Sequence, residues 1–193
     1  EPFLGSAERT SPTNIAMFLA GAVAACLLGY IDEKSCIARI QKTLETLDSL
    51  EKHNGQPFNW YQTTTCQPMH PRFVSSADNG NLACALLVVK TWCSKFEEGA
   101  YCAELCGKLL NEMNFAVFFD RAKGLLSIGI DAENGELSTF AYDLVASEAR
   151  QASFYGIISG ALPAWHWQKL SRTVTELNGR RILKSWSGSM FEY

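Results

Sequence analysis

The stretch SPTNIAMFLAGAVAACLLGYIDEK, residues 11–34, decides how the rest of the chain is read. Ser11 suits an N-cap, and Pro12 suits the first helical position, where its missing N–H is no loss. The apolar run behind them predicts a helix of about four turns that ends near Gly29. From Ile15 to Ile31 the chain is almost wholly apolar and nearly long enough to cross a bilayer. Its Ala and Gly content, its polar cap and the lack of basic residues on one flank favour a packed core helix instead. Asp32 then predicts the cap of a second, amphipathic helix. In it Ile37, Ile40, Leu44, Leu47 and Leu50 recur at three- and four-residue steps, and Asn54-Gly55 predicts its end.

Outward from these helices the pattern changes. Residues 58–61 and 73–75 predict short extended pieces around a Pro-containing loop. Asp78 can cap the next helix, which carries Leu82, Leu86, Val89 and Trp92, and a further helix is predicted from about Glu97 to Asn111. Residues 115–119 and 125–130 flank Asp120–Gly124 in a β-hairpin pattern, and Asn134-Gly135 marks another turn. Ser138 predicts the cap of a long helix reaching Ser159, stopped by Gly160 and Pro163 before the aromatic turn Trp165-His166-Trp167. Residues 182–193 read as extended or irregular.

Helices joined by hairpins and polar loops predict a mainly α protein of the α/α toroid kind. A closed (α/α)6 ring needs twelve helices, roughly 300–400 residues at ordinary helix lengths, and only about five substantial ones are predicted here. The expectation is one domain over residues 1–193: a partial (α/α)6 toroid with short β-hairpins, incomplete at its C-terminal end. Half a ring leaves its closing faces uncovered, so self-association is expected as well.

A net charge of −3 with 19% charged residues offers no nucleic-acid surface. Seven cysteines, at Cys26, Cys36, Cys66, Cys84, Cys93, Cys102 and Cys106, contain no C-x-x-C pair. Cys102 and Cys106 share a helix face, but no histidine or second pair completes a metal site. They read as small buried thiols in a reducing compartment. No signal peptide or N-X-S/T sequon is read, so a cytoplasmic location is expected, with no cofactor and no metal.

Glu148 is the most informative carboxylate. On the predicted helix its stripe would contain Ala141, Leu144, Val145, Ala152 and Tyr155, and such surroundings would dehydrate the carboxyl group. Dehydration disfavours the anion, which is what a glycosidase asks of its general acid. The plainer alternative is a buried Glu paired with an Arg or holding a loop. Asp78 is first of all an N-cap, although a helix start facing a cleft could present Asp78 and Asn81 to sugar hydroxyls. Trp60-Tyr61 and Trp165-His166-Trp167 could stack on sugar rings or plug a core. His166 has no triad partner at a recognisable spacing, and Gly80 stands alone with no phosphate-binding loop.

Six ordered segments resemble one family: RTSPTN (9–14), FNWY (58–61), VSSADNGNL (74–82), LLSIGID (125–131), YDLVASEAR (142–150) and SWSGSMFEY (185–193). They look like the glycoamylase-like region of cyclic β-1,2-glucan synthases, which are large membrane proteins, and related segments occur in endo-β-1,2-glucanases. The resemblance implies an (α/α)6 fold, a β-glucan ligand, the remainder of a larger membrane-bound synthase as partner, and Glu148 as an essential acid. It also brings in Asp78, Asn81, Tyr142, Arg150, Trp60 and Trp186 as cleft residues, although Arg150 reads better as structural. Two departures stand out. The interval between VSSADNGNL and the hairpin is short, and the family's further glutamate, in a Gly-Ile-Ser-Glu-Ser type segment, has no match. Glu192 lies too near the last motif to replace it. Glycoside chemistry ordinarily needs two carboxyl groups, about 5 Å apart for retention or roughly 6.5–9.5 Å for inversion, so the isolated chain is expected to be inactive or nearly so.

Overall fold

The computed structural model describes residues 7–193. Ser11 caps α1 (Pro12–Leu27) as its sequence predicts, its side chain accepting from Asn14 N. Gly29 ends the first turn signal with a positive φ of 78°. Asp32 caps α2 (Glu33–Ser49) through Ser35 N, and Cys36, Ile37, Ile40, Leu44 and Leu47 form its buried stripe. At 16 residues α1 is shorter than a bilayer requires. Among the described residues no helix is long and apolar enough to cross a membrane. Asn54-Gly55 does not end α2, however. Both residues have positive φ and make the two-residue turn between the strands Lys52–His53 and Gln56–Pro57, the geometry that Asn-Gly favours in a hairpin.

The third helix, α3 (Ser76–Cys93), is capped by Ser75, not by Asp78. Ser75 Oγ accepts from Asp78 N at 3.2 Å, so Asp78 sits inside the first turn. Behind it come α4 (Ala100–Glu112), α5 (Arg150–Ile158) and the single turn α6 (His166–Lys169). α3 is buried along most of its length and packs against α1, α4 and α5, while α2 packs against α1 and α4. Thus α1, α3 and α5 form one row, and α2 and α4 a second row behind it. An apolar core that includes Leu19, Ile40, Leu44, Leu82, Leu86 and Phe115 lies between them. Met17 and Phe18 on α1, and Phe154 and Ile158 on α5, remain exposed.

Short antiparallel sheets lace the loops at the ends of the helices. Arg9–Thr10 pairs with Tyr61–Gln62, and Phe73–Ser75 pairs with Gly129–Asp131, which in turn pairs with Glu136–Leu137. The predicted hairpin around Asp120–Gly124 is present but shorter. Phe115–Phe118 is a 3-10 turn, and only Phe119–Asp120 pairs with Leu125–Ser127. A last hairpin, Val174–Leu177 with Arg180–Leu183, stands out into solvent.

The largest difference from the sequence reading falls on residues 138–149. No long helix starts at Ser138. The segment is a loop containing the strand Ala141–Tyr142, paired with Leu126 and Ser127, and the helix begins only at Arg150. Ala141, Leu144 and Val145 have the spacing of a helical stripe, but sheet pairing and the parallel bridge between Leu144 and Ser171 take up that backbone instead.

Candidate functional site

Two segments meet beneath the start of α5. The first is the beginning of α3 with the loop before it. Asp78 is half-buried, and its Oδ1 accepts from Thr13 N at 3.3 Å. With its amide turned to match its neighbours, Asn59 donates to Asp78 Oδ2 at 2.9 Å and accepts from Trp60 Nε1 at 3.0 Å. The Arg9 guanidinium covers one face of Trp60, 4.4 Å from the ring centroid. Asn81 does not open onto a surface. It is buried, with its amide donating to Thr13 Oγ1 at 3.0 Å across the α1–α3 contact. Tyr61, next to Trp60, is a core residue whose hydroxyl donates to Glu51 O and accepts from Phe58 N.

The second segment carries Glu148. Because the helix starts two residues later, Glu148 lies in the loop and is exposed, not set in an apolar stripe. The dehydration argued from helical spacing therefore fails for this chain. What the loop does provide is a fixed donor: Tyr142 OH donates to Glu148 Oε1 at 3.1 Å. Tyr142 is buried against Ala77 and Ala149. Burial raises its phenol pKa above the ordinary value, and the nearby Glu148 and Asp78 carboxylates add to this, so the hydroxyl keeps its proton. The Trp186 ring packs on Tyr142 with centroids 5.4 Å apart, and its indole N–H donates to Asp143 Oδ1 at 3.1 Å. Trp186 is 50% exposed, which leaves ring surface for a ligand.

Trp186 is seated by a residue that sequence reasoning set aside. Glu192 is buried, and its carboxylate accepts from Trp186 N, Ser187 N, Ser187 Oγ and Ser189 N at 2.7–3.2 Å. Burial pushes this carboxyl up, but hydrogen bonds from Ser187, Ser189 and Ser185 outweigh it and hold the group at about 2. With its lone pairs engaged, Glu192 is a structural anion. Its folded value lies below the ordinary 4.5, so its contribution is complete above about pH 4.5 and is lost as pH falls through about 2. Glu192→Gln is expected to cost on the order of 2 kcal/mol at pH 7 and to flatten the acid limb of thermal stability between those values, as read by unfolding at a series of pH values.

Arg150 donates to Tyr193 O at 3.0 Å and Glu192 O at 3.5 Å. His166 is fully buried between Gly124 O and Ser153 Oγ, each at 2.9 Å. Burial lowers its pKa, against a smaller upward pull from Gly124. It ties α6 to α5 and to the hairpin turn. All seven cysteines are free, and burial pushes the Cys106 thiol up to about 12 and Cys36 to about 11. Among the described residues no group of His, Cys, Asp or Glu could hold a metal ion.

No family model matches the chain. It is 28% identical to the cyclic β-(1,2)-glucan synthase NdvB of Rhizobium meliloti (strain 1021) over a 314-position alignment covering 97% of this chain. That alignment is longer than the chain, so the relative carries residues within the matched region that are absent here. A protein of Bacteroides fragilis NCTC 9343, provisionally assigned as a glucoamylase, superposes with a TM-score of 0.82 at 16% identity, over 98% of this chain. The endo-β-1,2-glucanase of Chitinophaga pinensis, solved with sophorotriose and glucose, superposes with a TM-score of 0.80 at 13% identity, over 94% of this chain. The chain spans 11% of the synthase and about half of the two solved chains, 48% and 46%. The resemblance read from the six motifs therefore holds: along nearly its whole length the chain is similar to a cyclic β-1,2-glucan synthase and shares its fold with glucoamylase-like endo-β-1,2-glucanases.

Proposed function

We propose that the chain is part of a carbohydrate-active enzyme that hydrolyses or transglycosylates β-1,2-glucan, with Glu148 as general acid. The observation that carries this is the Glu148 carboxylate held by Tyr142, whose ring packs on the half-exposed Trp186 ring. Indole faces suit the C–H faces of sugar rings, and a carboxyl group at the edge of such a platform can reach a glycosidic oxygen. The relatives' activities, a β-1,2-glucan synthase and an endo-β-1,2-glucanase, agree in their linkage. A general acid must hold its proton until the leaving oxygen arrives, and Glu148 is open in this chain. In this reading bound glucan closes over it, together with helices that complete the ring. The exposed faces of α1 and α5 are then the closing surfaces of a partial (α/α)6 toroid. Glycoside chemistry ordinarily needs a second carboxyl group beside the bond, and Glu148 alone is assigned here, so in this reading the 193 residues bind glucan but turn it over far below an enzymatic rate.

Calorimetric titration with linear β-1,2-, β-1,3- and β-1,4-linked gluco-oligosaccharides of equal length tests this. Preference for the β-1,2 series is expected, with Trp186→Ala weakening it by about tenfold, the loss of one ring stack. Equal affinity for all three, or none, speaks against it. The open placement of Glu148 favours a second reading, a glucan-binding module without turnover, which predicts the same binding but no chemistry in any context.

A further inference from the structure

Resting on that functional reading, we infer that Tyr142 is a positioning residue for Glu148, not a contact for glucan. The resemblance makes Tyr142 a cleft residue, but its surroundings leave little of it for a ligand. It is 9% exposed, its strand pairs with Leu126 and Ser127, and its ring is enclosed by Ala77, Ala149 and Trp186. Its one polar atom is engaged by Glu148 Oε1.

Glu148 needs such a brace. Its backbone is fixed on both sides, by Val145 N to Ser171 O at 3.0 Å and by Ala149 N to Ser147 Oγ at 3.1 Å. Its side chain nevertheless stands in solvent, where several rotamers compete. Among the described residues the Tyr142 hydroxyl is its single hydrogen-bonding partner. A donor on a sheet-anchored ring selects one rotamer and occupies Oε1. Oε2 is then the oxygen that carries the transferable proton. As the glycosidic C–O bond breaks, that proton passes from Oε2 to the leaving oxygen. The anomeric carbon bonds to the oxygen of water or of an acceptor sugar hydroxyl, whose proton is released to solvent, and Tyr142 keeps its own. Trp186 props the ring from outside, and Asp143 fixes Trp186 in turn.

Tyr142→Phe keeps the ring and removes only the donor. Two measurements test the role. In the 193-residue chain carrying 13Cζ-labelled tyrosine, the Tyr142 resonance is expected to shift in Glu148→Gln, because the acceptor changes from carboxylate to amide; an unmoved resonance overturns the contact. In a polypeptide that carries the complete domain, Tyr142→Phe is expected to lower kcat on linear β-1,2-glucan by about 10- to 100-fold, the scale of a misplaced reacting group, with KM within about twofold. A raised KM with kcat retained makes Tyr142 a glucan contact and overturns the inference, as does unchanged kcat. If the wild-type domain turns over no β-1,2-glucan while the resonance shift is present, it is the functional reading that has failed, and this role falls with it.

Discussion

Glu148→Gln, made in a polypeptide carrying the complete domain, is expected to lower turnover of linear β-1,2-glucan by about 10²–10⁴-fold, the usual contribution of a general acid. Glutamine has the same shape and can still accept from Tyr142 OH, so the 3.1 Å contact that orients the side chain survives. What it cannot do is deliver a proton to the leaving oxygen. Glucan affinity should therefore stay within a factor of about three while kcat falls, the pattern of an interaction made only in the transition state. Reducing-end release and calorimetry on the same preparations read the two quantities separately. If kcat is unaffected, Glu148 is not the acid. If neither the wild type nor the variant shows turnover, the non-catalytic module is the better description.

The second large effect concerns stability. Gly80→Ala is expected to destabilise the chain by about 2–3 kcal/mol, although alanine is the better helix former by about 1 kcal/mol. A Cβ at Gly80 would lie 2.4 Å from Ala152 N and 2.5 Å from Ala152 Cα. These are backbone atoms of α5, so no side chain can swing aside, and α3 and α5 must move apart. For a domain of this size the expected fall in Tm is roughly 5–10 °C, measured by thermal unfolding of the two proteins side by side. A rise in Tm would mean that the close approach is absent. The movement would also carry the start of α5, and Glu148 just before it, away from the Asp78 end of α3.

The starts of α1 and α2 were legible in the sequence because each has one local side chain suited to cap it. Ser11 and Asp32 cap α1 and α2 as read, and the apolar spacing of α2 names its buried face. Asp78 was misread as a cap because Ser75, three residues earlier, is also a capping residue and takes the role. The segment 138–149 failed for a different reason. Its apolar residues fit a helical period, and pairing with residues 126–127 is decided by tertiary structure that a local pattern does not contain. The exposure of Glu148 goes with the loop that takes the place of the expected helix. Gly80 carried no local signal either, since what requires it is the backbone of α5, about seventy residues away. Glu192 was hidden because its partners are mainly backbone N–H groups of a serine-rich loop, which one-letter spacing does not reveal.

The outstanding hairpin has a consequence for how this scaffold can change. Ser171 N is bonded to Asp143 O and Ser185 is bridged to Ala146, so both feet of the ribbon are anchored to the loop that carries Glu148. Among the described residues, the Asn178-Gly179 tip is anchored to nothing but its own two strands. Residues gained or lost in pairs at that tip alter only the reach of the ribbon, and the footing keeps its register. Length variation, a fused reporter or a grafted recognition loop can be accommodated there without disturbing the loop at the base.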